Sequence, residues 1–370
     1  MGRRPLAVAV VLLALLVAFP DGSRVSTLRA QVAERIPSAI LVPATSLAFD
    51  AEADSNSPAV WELIDGRPTL FVFSSAGWPI RQSGTMLSML DRVGGIEFEV
   101  RPPHGVWMEA IIPDVDGTWY GYYHNELPAV ICGPEENRTL PRIGAARSRD
   151  FGATWEDLGV ILEAPPGWHE CDSTNRYFVG GVGDFSVILD REARDLYFFF
   201  SQYGNREHTQ GVAIGRMAWA NRDRPAGRLA LWWHGATWVP ARRGRSSEST
   251  SYTYPAGVPI FRAVDGWHDG DRVDAYWGPS VHWNTHLEQY VMLLNRAQDS
   301  EWRQEGIYVS FAKQLHDPAS WSPPRRLIAG GRWYPQVIGT QVGIGTDKIA
   351  GERARFFMGG RSQYLIQFAR

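Results

Sequence analysis

Glu109 and Asp184 each stand three residues ahead of an apolar residue, Ile112 and Val187, in two segments that repeat one another, Met108-Glu109-Ala110-Ile111-Ile112 and Gly183-Asp184-Phe185-Ser186-Val187. A carboxylate at the mouth of an innermost strand loses hydration without an evident partner. Two or three carboxylates around one pocket are the equipment of glycosidic-bond cleavage, where one protonates the leaving oxygen and another attacks or activates water. By position Asp184 reads as the stabiliser or base and Glu109 as the acid. Asp54, just ahead of a third copy of the segment, reads as a substitute base. The structural alternative for each is a carboxylate satisfied by backbone N–H groups or by an arginine.

The segments that must position these groups recur five times. Their openings are Asn56-Ser57-Pro58-Ala59-Val60, the two segments above, Gly278-Pro279-Ser280-Val281 and Tyr334-Pro335-Gln336-Val337. Each is answered by a strand dense in aromatic and β-branched residues: Leu70–Phe73, Trp119–Tyr123, Leu196–Phe200, Tyr290–Leu294 and Arg355–Met358. Antiparallel units repeated at such a spacing mark an all-β, five-bladed β-propeller. Third strands are read at Ser83–Leu90, Ile143–Ser148, Gly211–Arg216 and Gly306–Ser310, each alternating small or apolar with polar residues. The last unit is a strand short, and the apolar run Ala39–Val42 has no unit of its own. That run is expected to close the ring as the outer strand of the last blade, because an open sheet edge invites pairing with other chains.

In a propeller the first strands line the channel and the loops of one face meet at its mouth. The residues placed there, and expected to bind substrate, are Trp107, His124, Glu126, Trp168, Tyr203, Trp277, Arg296, Tyr334 and Arg361. Cys132 and Cys171 fall on the same face and are expected to form a disulfide in an oxidising compartment. Between the third and fourth strands of the second unit, Ser148-Arg149-Asp150-Phe151-Gly152-Ala153-Thr154-Trp155 matches the Asp-box pattern throughout. Asp150 is a turn residue that accepts backbone N–H bonds, and Gly152 supplies a positive φ. A degenerate relative, Asp317-Pro318-Ala319-Ser320-Trp321-Ser322, holds the same place in the fourth unit.

Composition narrows the partners. Charged residues make up 21% of the chain and the formal net charge is −3, which argues against nucleic acid or a membrane surface. Sixteen tryptophans suit both propeller cores and stacking on sugar rings. Met1–Arg4 and the uncharged run Leu6–Phe19 read as the basic and apolar parts of a secretory signal, with an N-terminal anchor as the alternative. Residues 1–30 are therefore set apart from a single domain over 31–370, expected to be secreted or periplasmic and monomeric. No cofactor is expected. A structural calcium on His169, Glu170 and Asp172 is conceivable because that ion prefers oxygen ligands. His282 and His286 should not share a helix face, and Asn137-Arg138-Thr139 is a glycosylation sequon. No phosphate loop, Gly-x-Ser-x-Gly elbow or His-Glu-x-x-His is present.

These residues resemble the five-bladed glycoside hydrolases of families 43 and 32, with a looser likeness to sialidases through the Asp box. The resemblance implies an Asp on the first innermost strand as base or nucleophile, a later Asp as stabiliser and a Glu as proton donor. Asp184 matches the later Asp. Ser57 stands where the first Asp is expected, and Gly278-Pro279-Ser280 lacks the Glu, a role left to Glu109 or Glu126. A sialidase-like activity on an anionic sugar would need an arginine cluster, for which Arg81, Arg206, Arg296 and Arg361 are available, and a tyrosine such as Tyr334. The expected function is hydrolysis of a glycosidic bond in a carbohydrate. A non-catalytic glycan-binding propeller is the alternative from another class.

Overall fold

The computed structural model describes residues 36–233, 237–244 and 252–370. The stretch read as a signal, residues 1–30, lies outside the described residues. Among the described residues, five antiparallel blades follow one another along the chain, beside a two-stranded pair of Arg242–Arg243 and Tyr252–Thr253. The first blade is Ala59–Ile64, Arg67–Ser75, Pro79–Gly84 and Leu90–Gly95, and the second is Val106–Pro113, Trp119–Pro128, Thr139–Ser148 and Thr154–Leu162. The third contains Val182–Leu189, Asp195–Tyr203, Gln210–Ala218 and the short pair Ala230–Trp233 and Thr237–Pro240. The fourth is Tyr276–Asn284, Gln289–Ala297, Gln304–Ala312 and Arg325–Ala329. In the fifth, Pro335–Gly339, Arg353–Met358 and Arg361–Ala369 are completed by Ser38–Ala48, whose residues from Ser38 to Ala48 pair with Ala369 back to Arg361.

Each pair of neighbouring blades encloses its own apolar layer. Phe71, Phe73 and Val60 pack on Met108, Trp119 and Trp155 between blades one and two. Tyr122 and Ile143 meet Phe198 and Phe200 between two and three, and Phe199 and Ile214 meet Met292 and Leu294 between three and four. Val291 and Phe311 meet Phe356 and Ile366 between four and five, and Phe357 and Ile338 meet Leu70 and Val72 to complete the circle. Strand alternation produces this arrangement, since successive side chains face opposite neighbours.

One strand differs from its expected place. The run Ser83–Leu90 is not continuous: the chain turns after Gly84, which pairs with Leu70 on one side and Leu90 on the other. Its alternation mixes a strand end, a turn and a strand start. The Asp-box residues form a tight turn between the third and fourth strands of blade two. Asp150 Oδ1 accepts from the N–H groups of Ala153 (3.1 Å) and Thr154 (2.8 Å), and the Trp155 indole donates to Gly152 O at 3.0 Å. The fourth-blade relative is a short 3-10 turn in which Asp317 Oδ1 accepts from Ala319 N–H at 3.0 Å.

Candidate active site

The innermost strands of blades two to five bend at one shared register. Glu109 sits in a bulge between the paired residues Met108 and Ala110, and Asp184 in a bulge between Gly183 and Phe185. Asp184, Gly278 and Tyr334, equivalent positions of blades three, four and five, all take a positive φ, of 42°, 57° and 55°. A bulge re-aims the side chain that the pleat would otherwise direct between blades. For a non-glycine residue such backbone costs about 1–3 kcal/mol and persists only where its surroundings hold it.

Those surroundings are hydrogen bonds across the channel. Asp184 Oδ1 accepts from the Tyr334 hydroxyl at 2.9 Å, and Oδ2 accepts from the Tyr203 hydroxyl. Tyr203 is itself stacked on Phe178, with ring centroids 3.9 Å apart. Glu109 Oε2 accepts from Phe185 N–H (2.9 Å) and Asn56 Nδ2 (3.3 Å). The same Asn56 amide donates to the carbonyls of Phe185 (2.8 Å) and Pro279 (3.1 Å), so a blade-one side chain reaches blades two, three and four. Ser57, beside it, is locked by its backbone to Gln336, with bonds of 2.6 and 3.0 Å.

Oxygens of Glu109 and Asp184 and a ring nitrogen of His124 lie within 4.8 Å of one another, all buried. His124 Nδ1 accepts the Asp184 N–H at 3.1 Å, and the ring nitrogens lie 3.5 Å from Glu109 Oε1 and 3.3 Å from Glu126 Oε1. Burial opposes a charge on this ring, whereas Glu109, Glu126 and Asp184 draw its pKa well above the ordinary value. The Asp184 N–H bond needs a lone pair on Nδ1 and so competes with the protonation that these carboxylates favour. Burial, with the charge of Asp184 adding to it, pushes Glu109 up to about 7 against its contacts with His124 and Phe185 N–H. Burial, then the charges of Asp184 and Glu126, pushes Asp54 up to about 7 as well. Of the three buried groups, Asp184 has both oxygens engaged by phenolic donors, whereas Glu109 Oε1 and His124 Nε2 are buried without a hydrogen-bond partner among the described residues.

Asp54 is partly exposed and lines a cleft of 840 Å³ whose other walls include Trp302, Gln304, Trp333 and Arg361. Behind that wall the indoles of Trp267, Trp277 and Trp302 pack together, with Trp267 and Trp302 stacked at 4.2 Å. The result is a partly open trough bordered by tryptophans, with Asp54 in its lining close enough to feel the charge of Asp184.

No family model matches the chain, and no curated protein matches it in sequence. Among solved structures, it is similar to an arabinanase of Bacillus subtilis (11% identity, 86% of this chain and 96% of that one, TM-score 0.45). An endo-arabinase of Bacteroides thetaiotaomicron is similar at 12% identity, with 85% and 94% covered and a TM-score of 0.47. A thermostable family-43 glycoside hydrolase is similar at 11% identity, with 89% and 91% covered and a TM-score of 0.48. Identities this low transfer no residue role, and the fivefold ring stands on this chain's own strand pairing.

The sequence-derived residues divide into three groups. Asp184, Glu109, Tyr203, His124, Tyr334 and Asp54 converge, with Glu126 beyond His124 and the Trp107 ring set edge-on to it at 5.5 Å. Trp277 belongs to the buried wall, its indole donating to Gln304, and Arg361 lines the open cleft. Two residues do not join. Arg296 is spent in a two-pronged pair with Asp274 (2.7 and 2.8 Å) under the Tyr276 and Tyr308 rings. Trp168 lines a different cleft, beside Gly204 and Arg206. Both corrections have one cause: placement by loop does not say which side of a strand end a side chain leaves from. Cys132 and Cys171 are bonded, tying the loop after the second strand of blade two to the segment leading into blade three. Sequence reasoning missed Asn56 and Gln336, whose amides read as ordinary turn and strand residues.

Proposed function

We propose that this protein is an exported glycoside hydrolase in which Asp54 donates the proton and Asp184 is the carboxylate that acts on the sugar. The observation that carries this reading is Asp54 itself: a cleft-lining carboxyl pushed up to about 7 and set against Asp184, so that one group can hold a proton near neutrality while its neighbour accepts phenolic hydrogen bonds. A cleft carboxyl group raised to near neutrality is suited to donate a proton. Glu109, fully buried, cannot touch a glycosidic oxygen. Its role moves from acid to support, fixing the Phe185 backbone and so the bulge that aims Asp184. Trp333, half-buried in the cleft lining, supplies a flat apolar face for a sugar ring. Residues 1–30 act as the export signal, and 31–370 form one domain working as a monomer.

A non-catalytic glycan-binding propeller is the second reading, favoured by Ser57, Gly278 and Tyr334, which leave three of the five register positions without a carboxyl group. The test is release of reducing ends from aryl glycosides and from plant and microbial polysaccharides by wild type, Asp54→Asn, Asp184→Asn and Glu109→Gln. Hydrolysis that collapses in Asp184→Asn supports the enzyme. Activity unchanged in both aspartate variants would sink the assignment, and glycan binding without any hydrolysis would select the second reading.

A further inference from the structure

A second cleft, of 630 Å³, lies where Gly167 and Trp168 face Asn205–Thr209 and the segment from Ala256 to Arg262. Its aromatic surfaces are Trp168 and Trp233, the latter 40% exposed. Its charged side chains are Arg206 and Arg262, both exposed, with His208 beside them; Glu207, the acidic residue of the Asn205–Thr209 segment, is exposed and is not one of the residues that line it. The active-site cleft differs, because Asp50, Glu52 and Asp54 there offset its arginines.

The walls are held from beneath. Gln202, buried, donates to the carbonyls of Thr209 (2.6 Å) and Gly257 (3.0 Å) and accepts from Gly257 N–H (3.1 Å), so one side chain spaces the two sides. Asn205 donates to Gly167 O at 3.1 Å, and Arg262 is set by strand pairing with Gly211. A side chain on Gly204 would overlap the Trp168 ring and the Thr209 hydroxyl, so glycine is what lets that ring lie down at this point.

We propose that this cleft binds an acidic saccharide, such as a uronic-acid oligomer, independently of the active site. Flat indole faces pack on the apolar face of a sugar ring, and guanidinium forks match a carboxylate in planar, two-bonded geometry. With no lining carboxylate to repel the ligand, the cleft discriminates by charge, and its affinity falls as salt screens the pairing.

The experiment is calorimetric titration of the full protein with trigalacturonate, with galactotriose as the neutral counterpart and a thymidine hexanucleotide as an alternative stacking anion. Trigalacturonate should bind at least about tenfold more tightly than galactotriose. The affinity should drop at least about thirtyfold in Trp168→Ala and in the double variant Arg206→Ala/Arg262→Ala, a loss of hot-spot size. The arginine variants alter exposed side chains only, and Gly204→Ala, which displaces the indole, should act like Trp168→Ala. Asp184→Asn should bind normally. Equal affinity for the neutral trisaccharide, no binding at millimolar ligand, tighter binding of the hexanucleotide, or loss in Asp184→Asn without loss in the cleft variants would each overturn the proposal.

Discussion

The Tyr334 hydroxyl of blade five donates to Asp184 Oδ1 of blade three at 2.9 Å, and both residues hold positive φ angles at the same register of their repeats. The fold thus brings two bent strand starts into one hydrogen bond, and each bend is held by the other. Tyr203 closes the far side of the same carboxylate. Tyr334→Phe removes one donor to a buried acceptor without changing the ring's shape. We expect a loss of about 1.5–3 kcal/mol in urea unfolding, the range for hydrogen bonds to charged groups. Tyr203→Phe should cost a similar amount, and a double-mutant cycle should show coupling, because the two phenols share one partner.

Asp150 serves the propeller rather than the site. Four donors converge on its carboxylate: Ala153 N–H, Thr154 N–H, the Thr154 hydroxyl and the Ser148 hydroxyl. Partial burial raises its pKa, but the bonds from Thr154 and Ser148 outweigh that and hold it below the ordinary value. A depressed folded pKa contributes stability that is present above the unfolded value of 3.8 and lost as pH falls from there through the lower folded value. Asp150→Ala should therefore cost about 2 kcal/mol at pH 7, read by urea unfolding. The gap from wild type should narrow below pH 4, with hydrolysis or glycan binding unchanged.

The register that exposed Asp184 was legible because a charged residue three ahead of a repeated apolar one is a local pattern, and the ring followed from counting the repeats. The missing strand of the fifth blade and the spare run Ala39–Val42 likewise show in the chain as a deficit and a surplus. Asn56 was not legible, since its meaning lies in reaching Phe185 and Pro279, 129 and 223 residues away. Arg296 misled for a related reason: it lies not in a loop but near the end of the strand Gln289–Ala297, paired with Tyr276, where Asp274, just ahead of Tyr276, neutralises it. Burial of Glu109 was equally invisible, because sequence register says that a side chain faces the channel and not how deep it lies.

The Cys132–Cys171 bond spans 39 residues of chain and fastens the second blade's loop to the approach to the third. Constraint of the unfolded chain by a loop of that length is worth about 4 kcal/mol in the entropy model. Nearby, Arg138 is clamped onto Glu136 and the carbonyl of Cys171 (2.7 Å), so the loop keeps local order without the bond. Replacing both cysteines with serine should therefore lower stability by less than that figure while leaving the site intact. Unfolding midpoints of wild type and variant, with and without reductant, check this: reductant should shift the wild type alone.

Asp54 ties stability to chemistry with opposite signs. Its folded value, about 7, lies above the unfolded 3.8, so between those limits the folded state holds more protons than the unfolded one. Stability then falls as pH rises from about 4 to about 7, and Glu109, raised from 4.5 to about 7, adds to the same slope. Asp54→Asn removes its share and should be more stable than wild type at pH 8, with little difference at pH 4. Hydrolysis should respond the other way. If Asp54 is the proton donor, wild-type kcat/KM falls as pH rises past about 7. Asp54→Asn should lose that limb and at least about a hundredfold in rate on substrates with poor leaving groups. On glycosides whose phenol leaves without protonation the loss should be much smaller. A uniform loss across leaving groups would mean that Asp54 shapes the cleft rather than supplying the proton, and the pH dependence of unfolding in the same variant would still report its buried charge.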